Sequence, residues 1–378
     1  RARALDGPPA LFAHAGEFLR LASLHHKTGR RGSRVGEPEA IVHPEGQLMK
    51  TVLAGIDVAS KSLAVALEHP GRSAKVFEVP NTPAGHRRLI RRVTARKIPA
   101  RVCMEATGVY GFELAWTLHR SPGIEVQVAN PRAVRDFARA WLQRSKTDAI
   151  DAQVLLEFAR RMPFEPWRPP SLSILEIRAI TRRIEALTRT RTREKNRLHM
   201  VDRCQEISAI VRQDILQHIE HLNQSLRRLQ QVALSLVRKD RTLARRFEIL
   251  VSVRGIAETS ALHILAELAT LPEDMSPRQW VAHAGLDPRQ YESGSSVSKP
   301  ARISRVGNPH LRRALFFPAM VSARNEPHVR AYYEHLLARG KKPMQANVAV
   351  MRKLLHAIHG MFSSQSTFCG EKFYAFST

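Results

Sequence analysis

The sequence predicts two architectures in tandem, a mixed α/β domain followed by an all-α region, on three observations. Short apolar strands at hairpin spacing begin at Thr51. Further strands then alternate with amphipathic helices, the pattern of a mixed sheet covered by helices. Beyond Pro170 the apolar residues recur every three or four positions, the period of packed helices.

Residues 1–48 are rich in Gly, Pro, Arg and His without a sustained period, and Met49 directly precedes the first strand. They read as a poorly ordered extension, and truncation to Met49 is expected to leave folding intact. The α/β domain spans 49–165. Val52-Leu53-Ala54-Gly55-Ile56-Asp57-Val58 is an apolar strand carrying an acid near its end, and Ser62–Leu67 and Ala74–Val79 complete a meander. Thr82–Lys97 reads as a helix started by Thr82-Pro83. Ala100–Glu105 is a strand closing on a second acid, Gly111–Arg120 a helix, Ile124–Val128 a strand and Pro131–Leu142 a helix. Lys146-Thr147-Asp148-Ala149-Ile150-Asp151-Ala152 then opens another helix. Pro166-Trp167-Arg168-Pro169-Pro170 breaks the chain.

Residues 166–245 read as a long helical hairpin or coiled coil. Its seam is Ile177, Ile180, Ile184, Leu187, Leu198 and Val201 on one helix, and Ile215, Ile219, Leu222, Leu226, Leu229, Ala233 and Leu236 on the other. Arg182, Arg183, Arg189, Arg191, Arg193 and Arg197 are expected on its outer face, solvated or touching nucleic acid or another subunit. A mostly helical domain over 246–365 and a tail over 366–378 follow. Within that domain, Leu250–Ala261 reads as helix, glycine turn, helix; it is either a helix-hairpin-helix that offers backbone N–H groups to phosphates or a plain turn, since Ala257 stands where a second glycine is usual.

The net charge is +26, from 60 Lys and Arg against 34 Asp and Glu. That excess suits a polyanion, because each neutralised phosphate releases counterions. No apolar run approaches the ~18–20 residues of a spanning helix, so no membrane partner is expected and the cytoplasm is the expected compartment. Cys103, Cys204 and Cys369 are too scattered for a disulfide framework or a zinc site.

Two stretches carry candidate chemistry. Asp148 and Asp151 lie three apart at a helix start and share a face. They serve either as cap and first-turn acid or as ligands of a hard divalent ion, which would need further carboxylates from strand ends. Asp57 and Glu105 are such acids. Tyr291-Glu292-Ser293-Gly294-Ser295-Ser296 reads as a flexible loop, yet Arg289, Lys299, Arg302, Arg305, Arg312 and Arg313 surround it. A serine in so phosphate-attracting a setting could act as a nucleophile once deprotonated.

The order of strand-borne and helix-borne acids resembles the ribonuclease H superfamily, in particular RuvC-like nucleases. With Gly55-Ile56-Asp57, Glu105-Ala106-Thr107-Gly108, Asn130-Pro131, Lys146-Thr147-Asp148, Asp151-Ala152, Gly285-Leu286, Tyr291–Ser295, Gly307-Asn308 and Leu311-Arg312 taken together, the chain from Met49 to Phe362 resembles the insertion sequence 110 family of transposases, to which certain DNA invertases are related. The resemblance implies a RuvC-like domain whose Asp57, Glu105, Asp148 and Asp151 hold Mg²⁺, with Mn²⁺ as the alternative ion, and a C-terminal transposase domain whose nucleophile is Ser293. It implies a bridge RNA that pairs with donor and target double-stranded DNA, and a homo-oligomer, a dimer through the coiled-coil linker over 166–245 and a tetramer in the synaptic complex, acting on bacterial nucleoid DNA. It further implies a composite site, acids from one subunit and serine from another. Two other readings of the residues stand beside it: a hydrolytic RuvC-like nuclease such as a junction resolvase, and a non-catalytic nucleic-acid-binding protein.

Overall fold

The computed structural model describes residues 51–105, 110–141, 147–203, 209–293 and 297–375, the side chains of 290–293 and 297–301 excepted. The extension over 1–48 therefore lies outside the described residues, as does Lys146. Two compact units divide between Pro169 and Pro170.

The first unit is built on a five-stranded sheet. Strands β1 (Val52–Val58), β2 (Ser62–Glu68) and β3 (Lys75–Pro80) form the antiparallel meander. Helix α1 (Pro83–Val93) follows, capped by Thr82, whose hydroxyl accepts from the Gly85 amide at 3.2 Å. It stops at Val93, short of the expected Lys97. Strand β4 (Ala100–Glu105) runs parallel to β1; then come α2 (Phe112–His119), β5 (Ile124–Ala129) parallel to β4, α3 (Pro131–Ala140) and α4 (Asp148–Arg161). The strand order is β3-β2-β1-β4-β5, that of a ribonuclease H-like sheet.

Strand β1 is central, and its burial explains why it reads as an almost unbroken apolar run. Leu53 packs on Ala152 and Leu156 of α4, while Val52, Ala54 and Ile56, pointing the other way, are fully buried as well. Both faces of the sheet are covered. The proline-rich break is put to use: the Trp167 amide donates to the Val126 carbonyl of β5 at 2.6 Å, and its indole packs edge-on against Phe112 and Trp116.

The second unit opens with α5 (Leu172–Val201) and α6 (Ala209–Lys239), each about 45 Å long at the ~1.5 Å rise of a helix. Asp202 pairs with Arg212, Glu194 with His218 and Arg191 with Asn223. Partners that descend one helix while climbing the other make the hairpin antiparallel. Along the hairpin Ile177, Ile180, Ile184 and Leu187 of α5 and Ile215, Ile219, Leu222, Leu226, Ala233 and Val237 of α6 are buried.

Beyond the hairpin come α7 (Arg241–Val251), α8 (Glu258–Leu268), α9 (Pro277–His283), the ribbon β6 (Pro288–Ser293) and β7 (Val297–Ile303), then α10 (Pro309–Asn325), α11 (Pro327–Ala338), α12 (Pro343–Ser364) and the short α13 (Gly370–Phe373). Two expectations fail here. Tyr291–Ser293, read as loop, is strand. Arg182, read as an outer-face residue, is buried, because Glu267 of α8 receives its guanidinium in two hydrogen bonds of 2.9 and 3.2 Å. Arg178, also buried, pairs with the same carboxylate at 3.2 Å.

Among the described residues, no helix is long and apolar enough to cross a membrane. Cys103 is buried and free and Cys369 exposed and free, while Cys204 lies outside the described residues.

Candidate active site

Parallel strands at neighbouring positions carry their side chains on a common face. Ile56 of β1 is in register with Met104 of β4, so Asp57 and Glu105, the next residue on each strand, face the same way. That face belongs to α4: Leu53, two turns of the pleat before Asp57, touches Ala152 and Leu156, and Cys103, two residues before Glu105, packs on Val154, Leu155 and Phe158.

Gly55 sets how closely the helix can sit. A Cβ there would fall 2.2 Å from both the Ala152 carbonyl oxygen and the Leu156 amide nitrogen. The backbone of α4 rests directly on β1 at this point, where only glycine fits. Arg160, in the last turn of α4, pairs with Glu68, which stands opposite Leu53 across the β1–β2 pair, so the Leu53 end of β1 lies under the C-terminal part of α4 and the end that carries Asp57 points toward its first turn, the turn of Asp148 and Asp151.

That turn is fixed by Thr147. Its hydroxyl accepts from the Ile150 amide at 3.3 Å, and its carbonyl accepts from the Asp151 amide at 2.9 Å. Thr147, not Asp148, is therefore the cap, and Asp148 is left exposed on the first helical residue. Asp57, Glu105 and Asp151 are half-buried.

Among the described residues, no three Asp, Glu, His or Cys side chains converge as a metal cage. The four acids are all carboxylates, a donor type that suits a hard ion, and Asp57 and Glu105 share one sheet face. Mg²⁺ is held by one or two carboxylates together with waters and substrate phosphates rather than by a closed protein cage.

Ser293 ends β6 in the second unit, in backbone register with Val297; Gly294–Ser296 lie outside the described residues. The foot of this ribbon is firmly built. Ser304 donates its hydroxyl to Asp287, and its amide donates to the Asp287 carbonyl at 2.9 Å. The Arg305 amide donates to the Gly285 carbonyl at 3.1 Å, and Arg312 donates to the Ala284 carbonyl at 2.7 Å. Gly285 (φ +64°) and Gly307 (φ +133°) are both in the left-handed region, and a Cβ on Gly307 would lie 2.2 Å from the His283 carbonyl oxygen. Of the basic residues expected around the serine, Arg302, Arg305, Arg312 and Arg313 gather at this foot, and Arg313 is ion-paired with Glu185.

A buried polar cluster supports the ribbon, and sequence reasoning missed it. Burial alone would raise the Glu267 carboxyl; the Arg178 and Arg182 guanidiniums and a 2.6 Å hydrogen bond from Asn308 bring it down to about 2. Asn308 also caps α10, accepting from the His310 and Leu311 amides at 2.9 and 3.1 Å. Desolvation lowers the neighbouring His283 to about 4, although Glu267 opposes the shift. The available signal is one acid, Glu267, in the run Ala261–Leu268, which is apolar apart from it and His263. At the α7–α8 turn, a Cβ on Gly255 would meet Ser322 of α10 at 2.4 Å, so this glycine serves packing, as in the plain-turn reading.

A ribonuclease H-like sheet with acids at one end, joined to a helical unit with a basic ribbon foot, is the frame of a DNA-recombining enzyme, and known proteins agree. Residues 54–201 match the DEDD domain profile described as "Transposase", and residues 247–334 match "Transposase IS116/IS110/IS902 family", together more than half of the chain. The chain belongs to the IS110 family of transposases. It is 29% identical over 254 residues to the pilin gene-inverting protein of Moraxella bovis, covering 67% of this chain and 76% of that protein. It is 26% identical over 347 residues to a putative transposase, y4qE, of Sinorhizobium fredii, covering 81% and 87% respectively. Its relatives thus include both a gene-inverting protein and a putative transposase.

Proposed function

We propose that the protein exchanges DNA strands by serine attack on phosphodiesters, with Asp57, Glu105, Asp148 and Asp151 as the metal-binding group and Ser293 as the nucleophile. The observation that supports this reading is the close seating of α4 on Gly55 of the strand that carries Asp57, with Glu105 in the matching register position of the neighbouring strand. A divalent ion bound there would stabilise charge developing on phosphate oxygens and ease loss of a hydroxyl proton. Ser293 Oγ attacks a DNA phosphorus and gives up its proton to a carboxylate of the acidic group; a phosphoserine ester forms as the P–O bond to the 3′ oxygen breaks. The freed 3′ hydroxyl attacks the ester on the partner duplex, rejoining DNA and restoring the serine. No net hydrolysis occurs.

In this reading acids and serine come from different subunits of a homo-oligomer dimerised through the α5–α6 hairpin. A bridge RNA selects donor and target and takes up part of the positive charge. The domain limits are those of the sequence reading: 49–165 for metal binding, 166–245 for dimerisation and 246–365 for the nucleophile.

The test is a denaturing gel for a covalent protein–DNA adduct, run with donor and target DNA, Mg²⁺ and copurified RNA. Wild type should form the adduct, and Ser293→Ala and Asp148→Ala should not. Cleaved ends without adduct, persisting in Ser293→Ala, would make the protein a hydrolytic nuclease. Sequencing the copurified RNA tests the guide: a single enriched noncoding species is expected, and random cellular RNA would reject it.

A further inference from the structure

At the foot of the β6–β7 ribbon a cleft of about 830 Å³ opens between Ile303, α10 and α12. Its wall carries Arg302, Arg305, Arg312, Arg313, Lys341 and Arg352, and among the described lining residues there is no carboxylate. Its floor is apolar, formed by Leu286, Ile303, Phe316, Met344 and Val348. Met344 keeps 59% of its surface exposed.

We propose that this cleft binds an unpaired DNA nucleotide a few nucleotides from the cleaved phosphate, its base on the apolar residues and its phosphates on the arginines. Three physical points lead there. Arg313 is held by Glu185, but the other five cations of the wall still make a cation-rich surface that attracts a polyanion, and the apolar residues beside it accept a base face, the combination found in single-strand binding. A paired duplex keeps its bases stacked inside and would leave that floor unused. The cations are also held against their own repulsion: burial and the neighbouring Arg305 lower the Arg312 pKa, and Arg305 occupies a left-handed backbone conformation at φ +52°. Such strain in a non-glycine residue is retained where surrounding structure fixes it. Here the Arg305 amide bond to the Gly285 carbonyl and the close approach of Gly285 to the 305–306 backbone do so.

Position along the ribbon sets which nucleotide is bound. Pro288, which lines the cleft, pairs with Ile303 at the foot, and Ser293 is five residues farther along β6. At ~3.4 Å per residue the separation is about 17 Å, a few nucleotides of extended strand. The inference rests on the proposed role of Ser293 only for this placement.

The test uses the full-length protein and a duplex with a short unpaired bubble carrying 5-iodouracil at successive positions, a photoprobe that couples to aromatic and sulfur side chains. Irradiation should attach DNA to Phe316 or Met344, read by peptide mass spectrometry, from the bubble but not from the same sequence fully paired. Ser293→Ala should crosslink as wild type does, so loss of serine chemistry and loss of the cleft are read separately. Arg305→Gly relieves the backbone conformation while removing the cation; it should melt no lower than wild type yet crosslink at least fivefold less. Equal yield from paired duplex, coupling confined to residues outside 314–352, coupling only to an RNA of the same sequence, or an unchanged yield in Arg305→Gly would overturn the proposal.

Discussion

Gly55→Ala is the sharpest perturbation the first unit offers. The added methyl would meet the Ala152 carbonyl oxygen and the Leu156 nitrogen at 2.2 Å and the Leu155 carbonyl carbon at 2.8 Å, all of them backbone, so no side chain can swing aside. Ordinary contact begins at 3.4 Å, so α4 must retreat by about 1.2 Å. Leu155 and Leu156, each at most 2% exposed, would lose their packing on Cys103 and Leu53. The cost lies at the upper end for overpacking, ~3 kcal/mol, and should lower the melting temperature by roughly 6–12 °C. Under the proposed mechanism the same retreat shifts Asp148 and Asp151 relative to Asp57, and a misplacement of about 1 Å costs on the order of 100-fold in rate. The assay pairs thermal unfolding by circular dichroism with strand exchange on donor and target DNA. Gly360→Ala is the control, since a methyl at that helical position meets nothing within 4 Å. A Gly55→Ala protein that melts and recombines like wild type would refute the seating argument.

Glu267→Gln should destabilise by ~3–5 kcal/mol, because Arg178 and Arg182 stay buried without their counter-charge; denaturant titration measures it. Stability should also fall on acidification in two stages. The folded His283 has its pKa lowered from 6.5 to about 4, so the unfolded chain binds more protons between those values and stability is lost as pH drops through that window. Glu267, lowered from 4.5 to about 2, contributes stability above 4.5 that is lost toward pH 2; a melting temperature flat from pH 7 to 3 would contradict both. Thr147→Ala removes the cap of α4 and should cost ~1 kcal/mol, with a larger relative loss of strand exchange than of stability; an unchanged exchange rate would detach the cap from the site. Asn308→Ala removes a cap and a donor to Glu267 together, so its loss in a double-mutant cycle with Glu267→Gln should be clearly less than additive.

The sheet was legible because each strand announces itself locally. Val52–Val58 is apolar throughout since both its faces are covered, and Asp57 and Glu105 stood out as acids near the ends of such runs. What seats on what was not legible: nothing near Gly55 in sequence names the helix, about 100 residues later, whose backbone requires the missing Cβ. The ribbon was read as loop for a related reason. A two-stranded ribbon whose strands read PRQYES and VSKPARI has neither an apolar run nor clean alternation. Arg182 was misplaced because the identity of a helix face depends on what packs there, and its partner Glu267 is 85 residues away.

The two ways this chain handles carboxylates bear on the candidate site. Glu267 is 2% exposed and could not remain ionised there without two arginines and an asparagine around it. The group at the sheet end is handled differently: Asp148 is exposed and Asp57, Glu105 and Asp151 are half-buried, so water reaches all of them. A carboxylate held for architecture is dry and matched by fixed protein cations. One that serves a strongly hydrated divalent ion must share that ion with water and with a phosphate that comes and goes. Under the proposed mechanism, the solvated setting of these four leaves room for such an ion and its waters.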